Sequence, residues 1–142
     1  MGATLSHSKQ GLRLNAREYF RSLQITISGA PHIVASDVNF DEIAANECYI
    51  RGMLTLTGGY ELHIAEYVIT EIEVQRPKYR YHLQRPNGIL IARWDNVPHH
   101  HDVSTSPHHR HNASGSVHPS PPMDVSQVLT AVIPLITSSN DT

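Results

Sequence analysis

Apolar residues recur along the chain with two different periods, and the change from one to the other marks its organisation. Asn15 is followed by Ala16, Tyr19, Phe20, Leu23 and Ile27 at helical spacing, and Glu18 stands three residues after Asn15, as a reciprocal capping box requires. The pattern predicts one amphipathic helix that ends at the SGAPH segment, where glycine and proline interrupt it. From Ile33 the period becomes two, and β-branched and aromatic residues become common. Strands are predicted near 33–40, 48–57, 60–69, 77–84 and 89–95. TGGY at 57–60 and RPNG at 85–88 have hairpin-turn composition, so neighbouring strands should run antiparallel as a meander.

Alternation assigns the faces. Ile50, Leu54 and Leu56 share one side of the second strand, and Leu62, Ile64 and Val68 share one side of the third. Glu66 falls on that apolar side. A carboxylate there is costly unless paired, so it either meets an arginine or marks a site. Tyr79, Tyr81 and Leu83 alternate with Lys78, Arg80 and His82. After Asn96 the chain is rich in His, Pro, Ser and Asn and loses all period for about 25 residues, a length at which a loop is usually functional or disordered. Asp124 and Gln127 then form a second capping box, Met123 and Val128 a hydrophobic staple, and Val125, Val128, Leu129, Val132 and Ile136 follow at helical spacing. Pro134 is expected to end or kink this helix. The fold class expected is α+β: a helix, an antiparallel sheet of about five strands, a long histidine-rich loop and a closing helix. One domain over 15–136 is expected, between a flexible leader at 1–14 and a flexible tail at 137–142.

At 142 residues the chain fits a single domain that buries roughly two-thirds of its unfolded surface. Its single cysteine, Cys48, cannot form an internal disulfide and reads as a small buried hydrophobe. No segment has the make-up of a secretory signal or a membrane span, so a soluble cytoplasmic protein is expected. The net charge of −2 hides an asymmetry. Eight of the thirteen acids lie between Asp37 and Glu73, whereas Arg76 to Arg93 carries Arg76, Lys78, Arg80, Arg85 and Arg93 and no acid. A basic surface on that half is expected.

Seven of the eleven histidines lie between His99 and His118, which makes this stretch the main candidate for chemistry. Three readings compete. As a metal site, His99, His101, His109 and His111 could converge, because alternate residues of an extended chain point the same way. As an acid and base pair, two imidazoles could take the proton from an RNA 2′-hydroxyl and return one to the leaving 5′-oxygen, with no metal or other cofactor needed. Arg93 or Arg110 would then stabilise the transition-state charge, and Tyr79, Tyr81 or Trp94 would stack an unpaired base. In the third reading the histidines bond to backbone groups, to Asp95 and to Asp102, and simply pin the loop. The acid–base reading uses the basic strand, the aromatics and the histidines together. It gives His99, His100, His108, His109, His111, Arg93 and Glu66 as candidate catalytic residues. Lys78, Tyr79, Arg80, Tyr81, His82, Arg85, Trp94 and Arg110 are its candidates for RNA contact, and its activity is that of a metal-independent ribonuclease.

The ordered strings YIRGMLTLTGGYELHIAEYV, KYRYHLQRPNGILIARWDNVPHHHDVSTSPHHRH and PSPPMDVSQVL resemble the TumE-like toxin family from about Tyr19 to Ile133. The most specific parts are Arg93-Trp94-Asp95-Asn96, Pro98-His99-His100 and Pro107-His108-His109-Arg110-His111. Glu66-Tyr67-Val68, Tyr79, Tyr81 and His82 add support. His101 and Ser106 depart from the family's pattern. The resemblance implies the toxin of a prokaryotic toxin–antitoxin pair, neutralised by a helix-turn-helix antitoxin. Two alternatives stand beside a toxin acting on RNA: a binding module for nucleic acid or protein without turnover, and a histidine-rich metal-binding protein.

Overall fold

Both helices begin where their capping boxes predict. Asn15 accepts the Glu18 N–H at 2.8 Å while Glu18 accepts the Asn15 N–H at 2.9 Å, and Asp124 and Gln127 exchange the same pair of bonds at 2.8 and 2.9 Å. A computed structural model describes residues 14–98 and 102–139 of the chain. Helix α1 (Ala16–Ser28) is followed by strands β1 (Ile33–Ala44), β2 (Glu47–Leu56), β3 (Glu61–Ile69), β4 (Gln75–Gln84), β5 (Leu90–Asp95), β6 (His109–Asn112) and β7 (Val117–Pro119), and helix α2 (Val125–Ser139) closes the order. The strands form one antiparallel sheet in sequence order. The α+β class and the meander are as expected, but the sheet has seven strands rather than about five. The additional strands β6 and β7 lie inside the segment read as structureless. They are too short and too polar to show a period, and β6 is defined by its pairing with β5, Asp95 opposite His109 and Arg93 opposite His111.

Both helices lie over one face of the sheet. Ile50, Leu54, Leu62, Ile64, Tyr81 and Leu83 meet the buried sides of α1 and α2 there in a single core. Cys48 is part of it, and burial pushes its thiol up to about 11. α2 passes through Pro134 and runs on to Ser139, into the stretch read as a tail. Val132 and Ile136, on either side of the proline, are both buried, and that burial offsets the backbone bond the proline cannot make. At Gly52 the β1 backbone crosses so closely that a Cβ would stand 2.4 Å from the Asp37 carbonyl oxygen. Residues 1–13, most of the expected leader, lie outside the described residues. Among those described, no helix is long and apolar enough to cross a membrane.

Candidate functional site

The sheet sorts its polar side chains by parity, and two separate clusters result. On the helix-covered face Glu66, fully buried, receives the hydroxyl of Tyr19 at 2.6 Å on one carboxylate oxygen and that of Tyr81 on the other. Arg76 completes the cluster, its Nε 3.6 Å from the carboxylate and donating to the Tyr19 hydroxyl at 3.1 Å, with Nη2 3.8 Å from Asp124. Glu66 therefore meets an arginine, as its position on the apolar side requires. Burial pushes its carboxyl above the ordinary 4.5, against the opposing pull of the two phenols and Arg76. The phenols of Tyr19 and Tyr81 are themselves held above their usual value, by burial first and by the Glu66 charge second.

Tyr79 lies beside Tyr81 with ring centroids 5.3 Å apart, and His108 stacks on its other side at 5.8 Å while its Nδ1 is 2.8 Å from the Tyr79 hydroxyl. Burial drives the Tyr79 phenol up to about 12 and lowers His108, to which the neighbouring His109 adds a smaller push. Trp94 is on this face too, opposite Arg110. Tyr79, Tyr81 and Trp94 are each at most 4% exposed, so these three rings are core here.

Among the described residues, the other face carries no helix. Cross-strand register aligns two rows on it: Arg51, Ala65, Arg80, Asp95 and His109 in one, Met53, His63, His82, Arg93 and His111 in the next. Arg51 and Arg80 are exposed, as is Lys78 beside them. Arg93 Nε lies 3.3 Å from His82 Nδ1, which makes that nitrogen the acceptor, and His82 Nε2 points to Gln84 Oε1 at 3.1 Å. Burial and the Arg93 charge both lower His82, which keeps this ring neutral and lets it orient the guanidinium. Tyr49 and Tyr67 flank the first row with centroids 6.1 Å apart, and Arg51 sits 4.9 Å over the Tyr49 ring. Between these groups Ala65 leaves a hollow of about 230 Å³ lined also by Tyr49, Lys78, Arg80 and Val97. Parity carried across the register would have found Tyr49, Arg51, His63 and Tyr67, which the sequence reading passed over. Arg85 is half-buried in the β4–β5 turn.

At the end of the rows the histidine tract and the RWDN segment meet. His109, 1% exposed, places Nε2 2.9 Å from Asp95 Oδ1, and His111 Nε2 is 3.7 Å from Asp95 Oδ2. The two imidazoles meet edge to face at 4.9 Å. Asp95 Oδ1 also takes the Val97 N–H at 3.0 Å, Asn96 accepts the Tyr79 N–H at 3.0 Å, and Thr105 donates to the His108 carbonyl at 2.6 Å while accepting the Ser120 N–H at 2.9 Å. The described part of the loop is thus pinned against the sheet. The structure brings Arg93, Asp95, His109 and His111 together. It separates His108, Arg110 and Glu66 from them by the thickness of the sheet, because neighbouring strand residues point to opposite faces. His99, His100 and His101 lie outside the described residues.

A family model described as toxin TumE matches residues 22–140. No curated protein matches the chain, and no solved structure matches it.

Proposed function

The chain belongs to the toxin TumE family, and from that premise we propose that it arrests growth by acting on RNA laid across the open face of the sheet. The observation that carries this reading is the alignment on one uncovered face of Arg51, Lys78, Arg80 and Arg93 with the rings of Tyr49 and Tyr67. Such a surface supplies what single-stranded RNA needs: cations that follow the phosphates and π-faces on which unstacked bases rest. The hollow over Ala65 gives a base a place between Tyr49 and Arg80. Arg93, oriented by His82, then holds a phosphate beside His111, which reaches the surface in front of the buried Asp95 and His109 and is the group placed to move a proton at the scissile bond. The partner proposed with it is an antitoxin of the helix-turn-helix kind that binds and neutralises the chain.

The test is inducible expression together with RNA binding and cleavage by purified protein. The parent should stop growth and cut RNA, and Arg80→Glu with Arg93→Gln should abolish both while melting at the parent's temperature. A folded double variant that arrests growth as fully as the parent would remove the open face from the mechanism. RNA bound without cleavage would convert the enzyme into a binding module on the same surface.

A further inference from the structure

We infer that Asp95, His109 and His111 form a binding site for one divalent first-row transition ion, with zinc as the reference ion, at the end of the open face beside Arg93. His109 Nδ1 lies 2.8 Å from the Pro107 carbonyl oxygen, which can only accept, so Nδ1 carries a hydrogen and Nε2 is the nitrogen that faces Asp95. Nε2 stands 2.9 Å from Asp95 Oδ1, a contact that either a proton or a metal ion can bridge. His111 brings a third donor atom to the other oxygen of the same carboxylate, so a metal ion would gather three residues where a proton bridges two.

One donor atom from each of the three residues lies within 4.8 Å of the others. Zinc holds nitrogen and oxygen at about 2.0–2.2 Å, which puts tetrahedral donors about 3.3–3.6 Å apart. The separations of 2.9 and 3.7 Å, each to a different oxygen of the carboxylate, fall on either side of that range, so the cluster needs only side-chain adjustment to close on one ion. The outer shell is in place as well. The Pro107 carbonyl fixes the His109 tautomer and the Val97 N–H holds the carboxylate, the roles that outer partners play around ligands. Two imidazoles and one carboxylate, without sulfur, suit zinc, nickel or ferrous iron and leave coordination positions for water or a phosphate oxygen. The inference gives the proposed RNA site the cation that would grip the phosphate next to Arg93. It rests on that reading only for its purpose, since ion binding is measured without RNA.

The experiment is zinc titration of the chelator-treated full chain by calorimetry, with thermal melting in zinc and in EDTA. One equivalent should bind and raise the melting temperature. Asp95→Asn and His111→Gln should each weaken that equivalent by at least about tenfold, the loss seen even for outer-shell changes. His63→Gln and His118→Gln, outside the cluster, should leave it intact. Uptake unchanged in His111→Gln would place the ion on other histidines, and a melting temperature indifferent to zinc would show that the cluster holds no ion; either result overturns the site. Because no step uses RNA, an inactive toxin that still binds zinc through these residues would sink the proposed function and leave the metal site standing.

Discussion

Removing the acceptor at Glu66 tests the reading of the helix-side cluster most directly. Glu66→Leu keeps the approximate volume and removes the carboxylate to which the buried hydroxyls of Tyr19 and Tyr81 donate, leaving Tyr81 with only the Met123 carbonyl at 3.5 Å. Arg76 is 24% exposed and 3.8 Å from Asp124, so it can turn to water and a second carboxylate, and its share of the loss is small. Two donors deprived of their acceptor at about 1–3 kcal/mol each bound the destabilisation at about 2–6 kcal/mol, and the long bond Tyr81 keeps puts it in the lower half of that range. Urea unfolding reads this as a fall in midpoint at constant slope. Adding Tyr19→Phe and Tyr81→Phe removes the orphaned hydroxyls and should restore at least half of the loss. Burial also holds the Glu66 carboxyl above 4.5, so the folded chain binds its proton more tightly than the unfolded chain does. That contribution is fully present below the unfolded value and is lost as pH rises through the raised folded one. The stability difference between parent and Glu66→Gln, followed from about pH 4 to pH 8, should therefore move in favour of Gln and then level off. A Glu66→Leu variant as stable as the parent, or a triple variant no better than the single one, would refute the reasoning.

Gly52→Ala would place a methyl group 2.4 Å from the Asp37 carbonyl oxygen and 2.6 Å from Val38 Cα, both backbone atoms. β1 has to lift off β2, and the melting curve should show a loss of at least about 1–3 kcal/mol. Asn15→Ala deletes the acceptor of the Glu18 N–H and should cost about 1 kcal/mol in urea unfolding, with Asn15→Asp close to neutral. For RNA binding, Arg80→Gln and Arg93→Gln should each reduce the slope of log affinity against log salt by about 0.7–1. Arg110→Gln, on the opposite face, should leave that slope unchanged, and an equal effect from all three would show that RNA does not select the open face.

Elements set by local sequence were legible. Each helix starts at a side-chain capping box, and each early strand carries its own alternation, so neither needed knowledge of distant partners. β6 has four polar residues and exists because Asp95 and Arg93 lie opposite His109 and His111. No local signal marks such a strand. Glu66 was visible as an anomaly, but Arg76 as its partner depends on where the chain re-enters at the start of β4. The parity of Leu83 already put Tyr79 and Tyr81 on the buried side. Its other half, that Lys78, Arg80 and His82 must then share a face with Arg93, with Tyr67 on the next strand and with Tyr49 two strands away, requires the register of the whole sheet.

The same parity explains why Arg-Trp-Asp-Asn is a contiguous string. In a strand, residues two apart share a face and are separated by about 6.5–7 Å, so Arg93 and Asp95 stand side by side on the open face while Trp94 between them seals the core at 4% exposure. Asn96 leaves the strand and accepts the Tyr79 N–H, which fixes the end of β5 to β4 and with it the position of the Asp95 carboxylate. A guanidinium for phosphate, a core anchor, a carboxylate against His109 and His111 and a backbone clamp thus occupy four consecutive positions. Exchanging Trp94 with either neighbour would send a charge into the core and turn the indole to the other face. The histidine tract obeys the same constraint, since His109 and His111 reach Asp95 only because His108 and Arg110 point the other way.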